Sequence, residues 1–220
     1  MPHVVTIDGP SGSGKGTVAS RVAARLGWRN LDSGALYRLV GLAAERAGIA
    51  PDDVPALQRL ARNMDAVFRD GHVFLDNIDV TDAIRTEQAG NAASRIAAIP
   101  QVRDELLAWQ RGYAREPGLI AEGRDMGTVV FPDAEVKIFL TASPRERAER
   151  RYKQLKEKGF DVTMESLLGE IAERDKRDTE RAVAPLKPAV GAFILDSSGM
   201  DVDEVVERVL AHVRERLPAV

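Results

Sequence analysis

The segment that most constrains this chain is Gly9-Pro10-Ser11-Gly12-Ser13-Gly14-Lys15-Gly16-Thr17, which comes just after the run His3-Val4-Val5-Thr6-Ile7. A short run of β-branched residues favours a buried strand. Gly9, Gly12 and Gly14 accept backbone angles that a Cβ resists, so successive amide N–H groups can turn inward around an anion. From Lys15 onward, Val18, Val22, Ala23 and Leu26 recur at helical spacing, which aims a helix N-terminus and its positive dipole end at the same spot. Together these features predict a loop that grips a nucleotide's polyphosphate, with Lys15 following the outer phosphates. One departure matters. The commonest form of such a loop has Ser or Thr right after the lysine, where it reaches Mg²⁺; here Gly16 intervenes and the hydroxyl comes at Thr17.

The rest of the composition narrows the setting. A chain of 220 residues can build one domain with a sizeable core and a small insertion. A net charge of −3 argues against general binding to nucleic acid or a membrane surface. With no cysteine there is neither a disulfide framework nor a thiolate metal site, and His3, His72 and His212 show no ligand spacing. No charged-then-apolar leader opens the chain and no apolar run approaches a membrane span. A cytoplasmic protein is expected, and a monomer.

Strand and helix patterns alternate, which points to an α/β fold with a parallel sheet covered on both faces. Strands are expected at His3–Ile7, Trp28–Leu31, Leu119–Ala121, Val136–Leu140 and Phe193–Leu195. Between the second and third of these the texture changes. Ala66–Phe68 and Val73–Leu75 flank Arg69-Asp70-Gly71-His72, a hairpin signal, and Ile78–Val80 is a third short run, so a small antiparallel insertion is expected here. Helices are expected over Asp53–Asn63, Thr81–Ala98 and Gln101–Arg115. Ser143-Pro144-Arg145-Glu146 reads as a capping box with proline at the first helical position, and Thr163 as the cap of the next helix. A last amphipathic helix carries Val205, Val206, Val209, Leu210 and Val213.

Open α/β sheets bind ligands beyond the carboxyl ends of their strands. The polar residues at those ends are the phosphate loop, Asp32-Ser33, and Glu122-Gly123-Arg124-Asp125. A second concentration is arginine: Arg145, Arg147, Arg150 and Arg151 on one helix, and Arg174, Arg177 and Arg181, interleaved with Asp175 and Asp178, on the next. Guanidinium groups stabilise the charge on a transferring phosphoryl group by two-point contacts. Helices lying between the last two strands can form a lid that brings them in and keeps water from the donor. A hydroxyl acceptor needs a base, whereas a phosphate acceptor needs cations to offset repulsion between two anions. Many arginines and no obvious base favour a nucleoside monophosphate as acceptor.

Four segments carry a family resemblance: Gly9 to Thr17 with its Gly-Thr ending, Asp32-Ser33-Gly34-Ala35-Leu36-Tyr37-Arg38, Gly123-Arg124-Asp125-Met126-Gly127-Thr128-Val129-Val130-Phe131-Pro132, and Arg174-Asp175 through Arg181-Ala182-Val183-Ala184-Pro185-Leu186. Along nearly its whole length the chain resembles the bacterial cytidylate kinases, of the nucleoside monophosphate kinase group. The resemblance implies a fold of the P-loop nucleoside triphosphate hydrolase type: a parallel five-stranded sheet flanked by helices, with a small antiparallel β insertion and a helical lid. It implies one kinase domain over residues 1–220, with a core (about 1–62, 86–142 and 182–220), a monophosphate-binding insertion (about 63–85) and a lid (about 143–181). The implied reaction moves the γ-phosphoryl group of ATP to CMP or dCMP.

The resemblance also implies individual roles. Gly9 to Thr17 would bind ATP, and Lys15, Arg124, Arg150, Arg151 and Arg181 would act on the transferring phosphoryl group. Ser94, Arg103 and Asp125 would contact cytosine. Arg38, Arg124 and Arg181, with Ser33 nearby, would hold the acceptor phosphate. Asp178, steadied by Arg174, would take a hydrogen bond from the ribose. Mg²⁺ would be held largely through water and the nucleotide phosphates, with no protein-held metal site beyond a role for Thr17. Where the family usually has Asp, this chain has Glu122. Two alternatives stay open: UMP, AMP or a small metabolite alcohol as acceptor, or a nucleotide-dependent switch protein. No Asn-Lys-x-Asp guanine-reading segment is present to favour the latter.

Overall fold

The computed structural model describes residues 2–69, 71–157 and 159–218. In chain order the regular elements are β1 (His3–Asp8), α1 (Lys15–Leu26), β2 (Arg29–Asp32), α2 (Ser33–Arg46), α3 (Val54–Asn63), β3 (Ala66–Arg69), β4 (His72–Leu75) and β5 (Ile78–Asp79). They continue with α4 (Glu87–Ile96), α5 (Pro100–Gly112), β6 (Gly118–Gly123), β7 (Val136–Thr141), α6 (Pro144–Glu157), α7 (Met164–Glu180), β8 (Phe193–Asp196) and α8 (Val202–Arg216). Two compact units result, Met1–Leu31 with Tyr113–Val220, and Asp32–Gly112.

The first unit is built on a parallel five-stranded sheet in the order β2-β6-β1-β7-β8. Its centre is where the apolar runs are densest: all six residues of β6 are buried, as a strand covered on both faces requires. In register, Ile7 lies opposite Glu122 and Ile138, and Asp8 opposite Gly123 and Phe139. Val18 and Val22 of α1 and Val205, Val209, Leu210 and Val213 of α8 close over Val5, Ile7, Ile120, Ile138 and Leu140 in one apolar cluster. This order puts β1 in the middle and delivers the glycine-rich loop to the carboxyl edge of the sheet. A capping box starts α8, Asp201 Oδ1 accepting from the Glu204 amide (2.8 Å) and Glu204 Oε2 from the Asp201 amide (3.0 Å). Asp201→Ala is expected to cost about 1 kcal/mol of unfolding free energy, read by urea titration.

Some local expectations need correction. At α6, Ser143 Oγ accepts from the Glu146 amide as expected (3.2 Å), but the Ser143 amide donates to Ser198 Oγ (2.9 Å) and the Glu146 carboxylate pairs with Arg150 (3.3 Å). The reciprocal arm of the box is thus replaced by a serine from the end of β8 and by a cation one turn along. Residues Met126–Val130 form a π-helical turn, closed by the Phe131 amide on the Met126 carbonyl (2.7 Å), where no element was expected.

The second unit carries the antiparallel sheet β3-β4-β5, with Val67 opposite Phe74 and Leu75 opposite Ile78. Asp70 of the hairpin signal lies outside the described residues. The β4–β5 turn uses Asp76 and Asn77, both at positive φ (50° and 63°), the residue types that tolerate it. Val73, Leu75, Val80 and Ile84 pack with Ala35 and Leu39 of α2. The helix expected over Thr81–Ala98 is interrupted. A 3-10 turn at Ala83–Arg85 gives way to extended Thr86 (ψ 159°), whose hydroxyl caps α4 by accepting from the Ala89 amide. The helix expected to reach Arg115 ends at Gly112.

Candidate active site

The phosphate loop leaves β1 at Gly9, where a Cβ would sit 2.0 Å from the Leu140 carbonyl oxygen, so only glycine fits against β7. Gly14 caps α1 in the left-handed region (φ 87°), a geometry strained for any other residue. Lys15 is the first residue of α1; its side chain is buried, and Nζ reaches back to the Pro10 carbonyl at 3.2 Å. Thr17 is exposed.

Two arginines of α6 hold the loop from outside. Arg147, 3% exposed, donates Nε to the Ala142 carbonyl (3.1 Å) and Nη1 to the Ser11 carbonyl (3.0 Å), and pairs with Asp175 of α7 at 2.5 Å. Arg150 donates Nη1 to the Ser13 carbonyl (3.2 Å) and Nη2 to the Ser197 carbonyl (2.7 Å). Loop carbonyls drawn toward guanidinium groups leave the opposite, N–H edge of the loop to an anion. Arg151 donates to Gln154 on its own helix (3.3 Å).

The residues after β6 meet those at the end of α7. Arg124 Nε pairs with Asp178 at 2.9 Å, and Arg181 lies 3.7 Å from Asp125, with three of these four side chains under 5% exposed. Arg181 Nε also donates to the Ala184 carbonyl (2.7 Å). Arg174 is buried on α7. Asp178, on the same helix as Arg174, pairs with Arg124. In the second unit, Ser33 is the buried first residue of α2 and Arg38 donates to the Ile84 carbonyl (2.8 Å). Ser94 is buried on α4, while Arg103 of α5 donates to the Ala97 carbonyl (3.3 Å) and lies over the Tyr37 ring at 5.7 Å.

Asp8, which closes β1, joins the residues at this edge of the sheet. It is buried at the end of β1 and accepts from the amides of Met126 and Gly127, each at 2.8 Å. Burial is the main cause that raises its pKa to about 7; nearby Asp125 adds to the rise, while the two amides and Lys15 oppose it. The strand-end rule that found Asp32 and Glu122 would have found Asp8 as well. Ser197 had no local signal that separated it from other polar residues, and Asp175, legible among the arginines of its helix, gave no sign of its partner Arg147.

Gly16 and Glu122 explain each other. A Cβ at position 16 would lie 3.0 Å from Glu122 Oε1, so the absent side chain makes room for a carboxylate beside the loop. Mg²⁺ prefers hard oxygen ligands and keeps several waters, so a single carboxylate next to a polyphosphate suits it. Among the described residues, no three His, Cys, Asp or Glu side chains gather to hold a metal by themselves.

The family described as Cytidylate kinase matches residues 5–215. The chain belongs to the cytidylate kinase family. Curated cytidylate kinases of Aeromonas salmonicida (57% identical, covering 99% of this chain and 96% of the relative) and Shewanella loihica (52%, covering 98% and 96%) match end to end. A solved structure of an uncharacterized protein from Eubacterium ventriosum is similar in fold alone, with TM-score 0.54 at 13% identity over 97% of this chain and 99% of that one. Membership of the cytidylate kinase family makes the chain a phosphotransferase acting with ATP. No described helix is long and apolar enough to cross a membrane.

Proposed function

We propose that the chain transfers the γ-phosphoryl group of ATP to CMP or dCMP, giving ADP and CDP or dCDP. Family membership together with one observation carries this reading: a glycine-rich phosphate loop and a buried Arg–Asp cluster (Arg124–Asp178 and Arg181–Asp125) stand on the same sheet edge. The loop amides and Lys15 take the donor phosphates. Arg124, Arg181 and Arg38 are assigned to the acceptor phosphate, as is Ser33, and Arg150 and Arg151 to the transferring group. Asp178 accepts from the ribose. The residues that would accompany Mg²⁺ are Glu122 and Thr17; bound to the nucleotide, the ion supplies neutralisation of the phosphate charge.

Base choice follows from hydrogen-bond complementarity. Cytosine has an exocyclic amino donor, assigned to the Asp125 carboxylate, and ring acceptors, assigned to Arg103 and Ser94. Uracil puts a carbonyl where the amino group was, so Asp125 would face another acceptor. A buried group left in that state costs discrimination of about 100-fold or more. Steady-state kinetics with CMP, dCMP, UMP and AMP test this. UMP is expected at least about 100-fold below CMP in kcat/KM, and comparable values would overturn the cytosine assignment.

A further inference from the structure

The two amides that Asp8 holds belong to the segment just after Arg124 and Asp125. The parallel ladder between β1 and β6 ends with Asp8 opposite Gly123, and the Gly9 amide donates to the Gly123 carbonyl (3.3 Å). Beyond that point no further strand pairing holds the chain, which reverses into the π-helical turn. The Asp8 side chain takes over there. Its two oxygens each accept one main-chain N–H, so the backbone on the carboxyl side of Arg124-Asp125 is fixed to β1. Gly127 adds close contact: a Cβ there would lie 2.8 Å from Thr6 Oγ1 on β1.

We propose that Asp8 is a positioning residue for the acceptor nucleotide: its carboxylate fixes Met126 and Gly127 and thereby sets Arg124 and Asp125. The inference rests on the reading above that Arg124 and Asp125 take CMP. It also explains why a carboxylate is buried here. The ionised form is the strong acceptor for two N–H groups at once, one on each oxygen; protonation makes one oxygen a much poorer acceptor, and an amide side chain turns that position into a donor that faces an N–H. The groups facing Asp8 are Lys15 from α1 and Asp125, itself paired with Arg181, after β6; β7 places apolar Phe139 opposite. With a pKa near 7, the carboxylate loses this two-point hold as pH falls through neutrality.

The sign for stability runs the other way. Because the folded-state pKa lies above the ordinary 3.8, the contribution of Asp8 to stability is full below about pH 4 and is lost as pH rises through about 7. Asp8→Asn removes that cost but breaks the clamp. At pH 8 it is expected to raise KM for CMP roughly ten-fold, change KM for ATP by less than about three-fold, and leave the melting temperature undiminished. The ratio of wild-type to Asp8→Asn kcat/KM for CMP should shrink toward one between pH 8 and pH 6, the titration of the substrates cancelling in the ratio. A ratio constant with pH, or equal rises in both KM values with a lower melting temperature, would overturn the proposal.

Wild-type hydrogen exchange gives a second reading independent of the variant's folding. Protection of the Met126 and Gly127 amides, corrected for intrinsic rates, should fall roughly ten-fold from pH 8 to pH 6; unchanged protection would overturn the clamp. Arg124→Ala is the control for the underlying assignment. If it leaves KM for CMP unchanged, the acceptor reading fails and takes this inference with it. If it raises KM and Asp8→Asn does not, only the inference fails.

Discussion

Lys15→Met is expected to lower kcat by roughly three orders of magnitude while the protein stays folded. The lysine is 9% exposed at the first turn of α1, inside a loop whose shape is set by Gly9 against β7 and Gly14 at positive φ. Methionine keeps the length of the side chain and none of its charge. The fold loses one hydrogen bond, from Nζ to the Pro10 carbonyl, worth about 1 kcal/mol, or a shift of up to about 4 °C in Tm for a chain of this size. The chemistry loses a cation that tracks charge as it moves from donor to acceptor. Single-turnover kinetics with CMP and a thermal melt separate the two effects. A kcat within ten-fold of wild type would remove Lys15 from the catalytic set.

Arg147→Met is expected to act chiefly on stability, lowering unfolding free energy by about 3 kcal/mol and Tm by roughly 6–12 °C. One guanidinium serves the Ala142 carbonyl, the Ser11 carbonyl and both oxygens of Asp175. Removing it withdraws the common donor of all three at a site where the arginine is 3% exposed. Asp175 is 27% exposed, and water reaching it keeps the loss below that of a fully buried pair. Because Ser11 is in the phosphate loop, KM for ATP should rise as well. A double-mutant cycle with Asp175→Asn measures the coupling. A Tm within about 2 °C of wild type would show that the pair contributes little.

What the sequence made legible was local. The run Val4-Val5-Thr6-Ile7 next to three glycines and a lysine is a self-contained signal, and so is the alternation that yields the sheet. Each long-range link escaped, because its partners are invisible to periodicity. Asp8 meets residues 118 and 119 positions away, and Arg147 meets Ser11 across 136. The turn at Met126–Val130 was missed for a related reason: Val129-Val130-Phe131 has the composition of a strand, and only the anchored backbone at Met126 and Gly127 diverts it. Thr86 was read through as part of a helix since nothing local distinguishes an interior threonine from one that caps. Position 16 stood out in sequence, but its explanation required Glu122, a residue of another strand.

The three ion pairs along one side of α7 have a mechanical consequence. Asp175 is tied to Arg147, Asp178 to Arg124 and Arg181 to Asp125, so the last two turns of α7 are fastened to the frame of the sheet. The start of α6 is fastened too, through Ser143 to Ser198 and Arg150 to Ser197. The two helices are joined to each other by a small core of their own, Ala148, Leu155, Leu167 and Ile171, which runs out from the root. The pair is therefore a cantilever clamped at its root. Bending it loads the root, where Arg124, Arg147 and Arg181 reside, so displacement of the free end and displacement of those arginines are one movement.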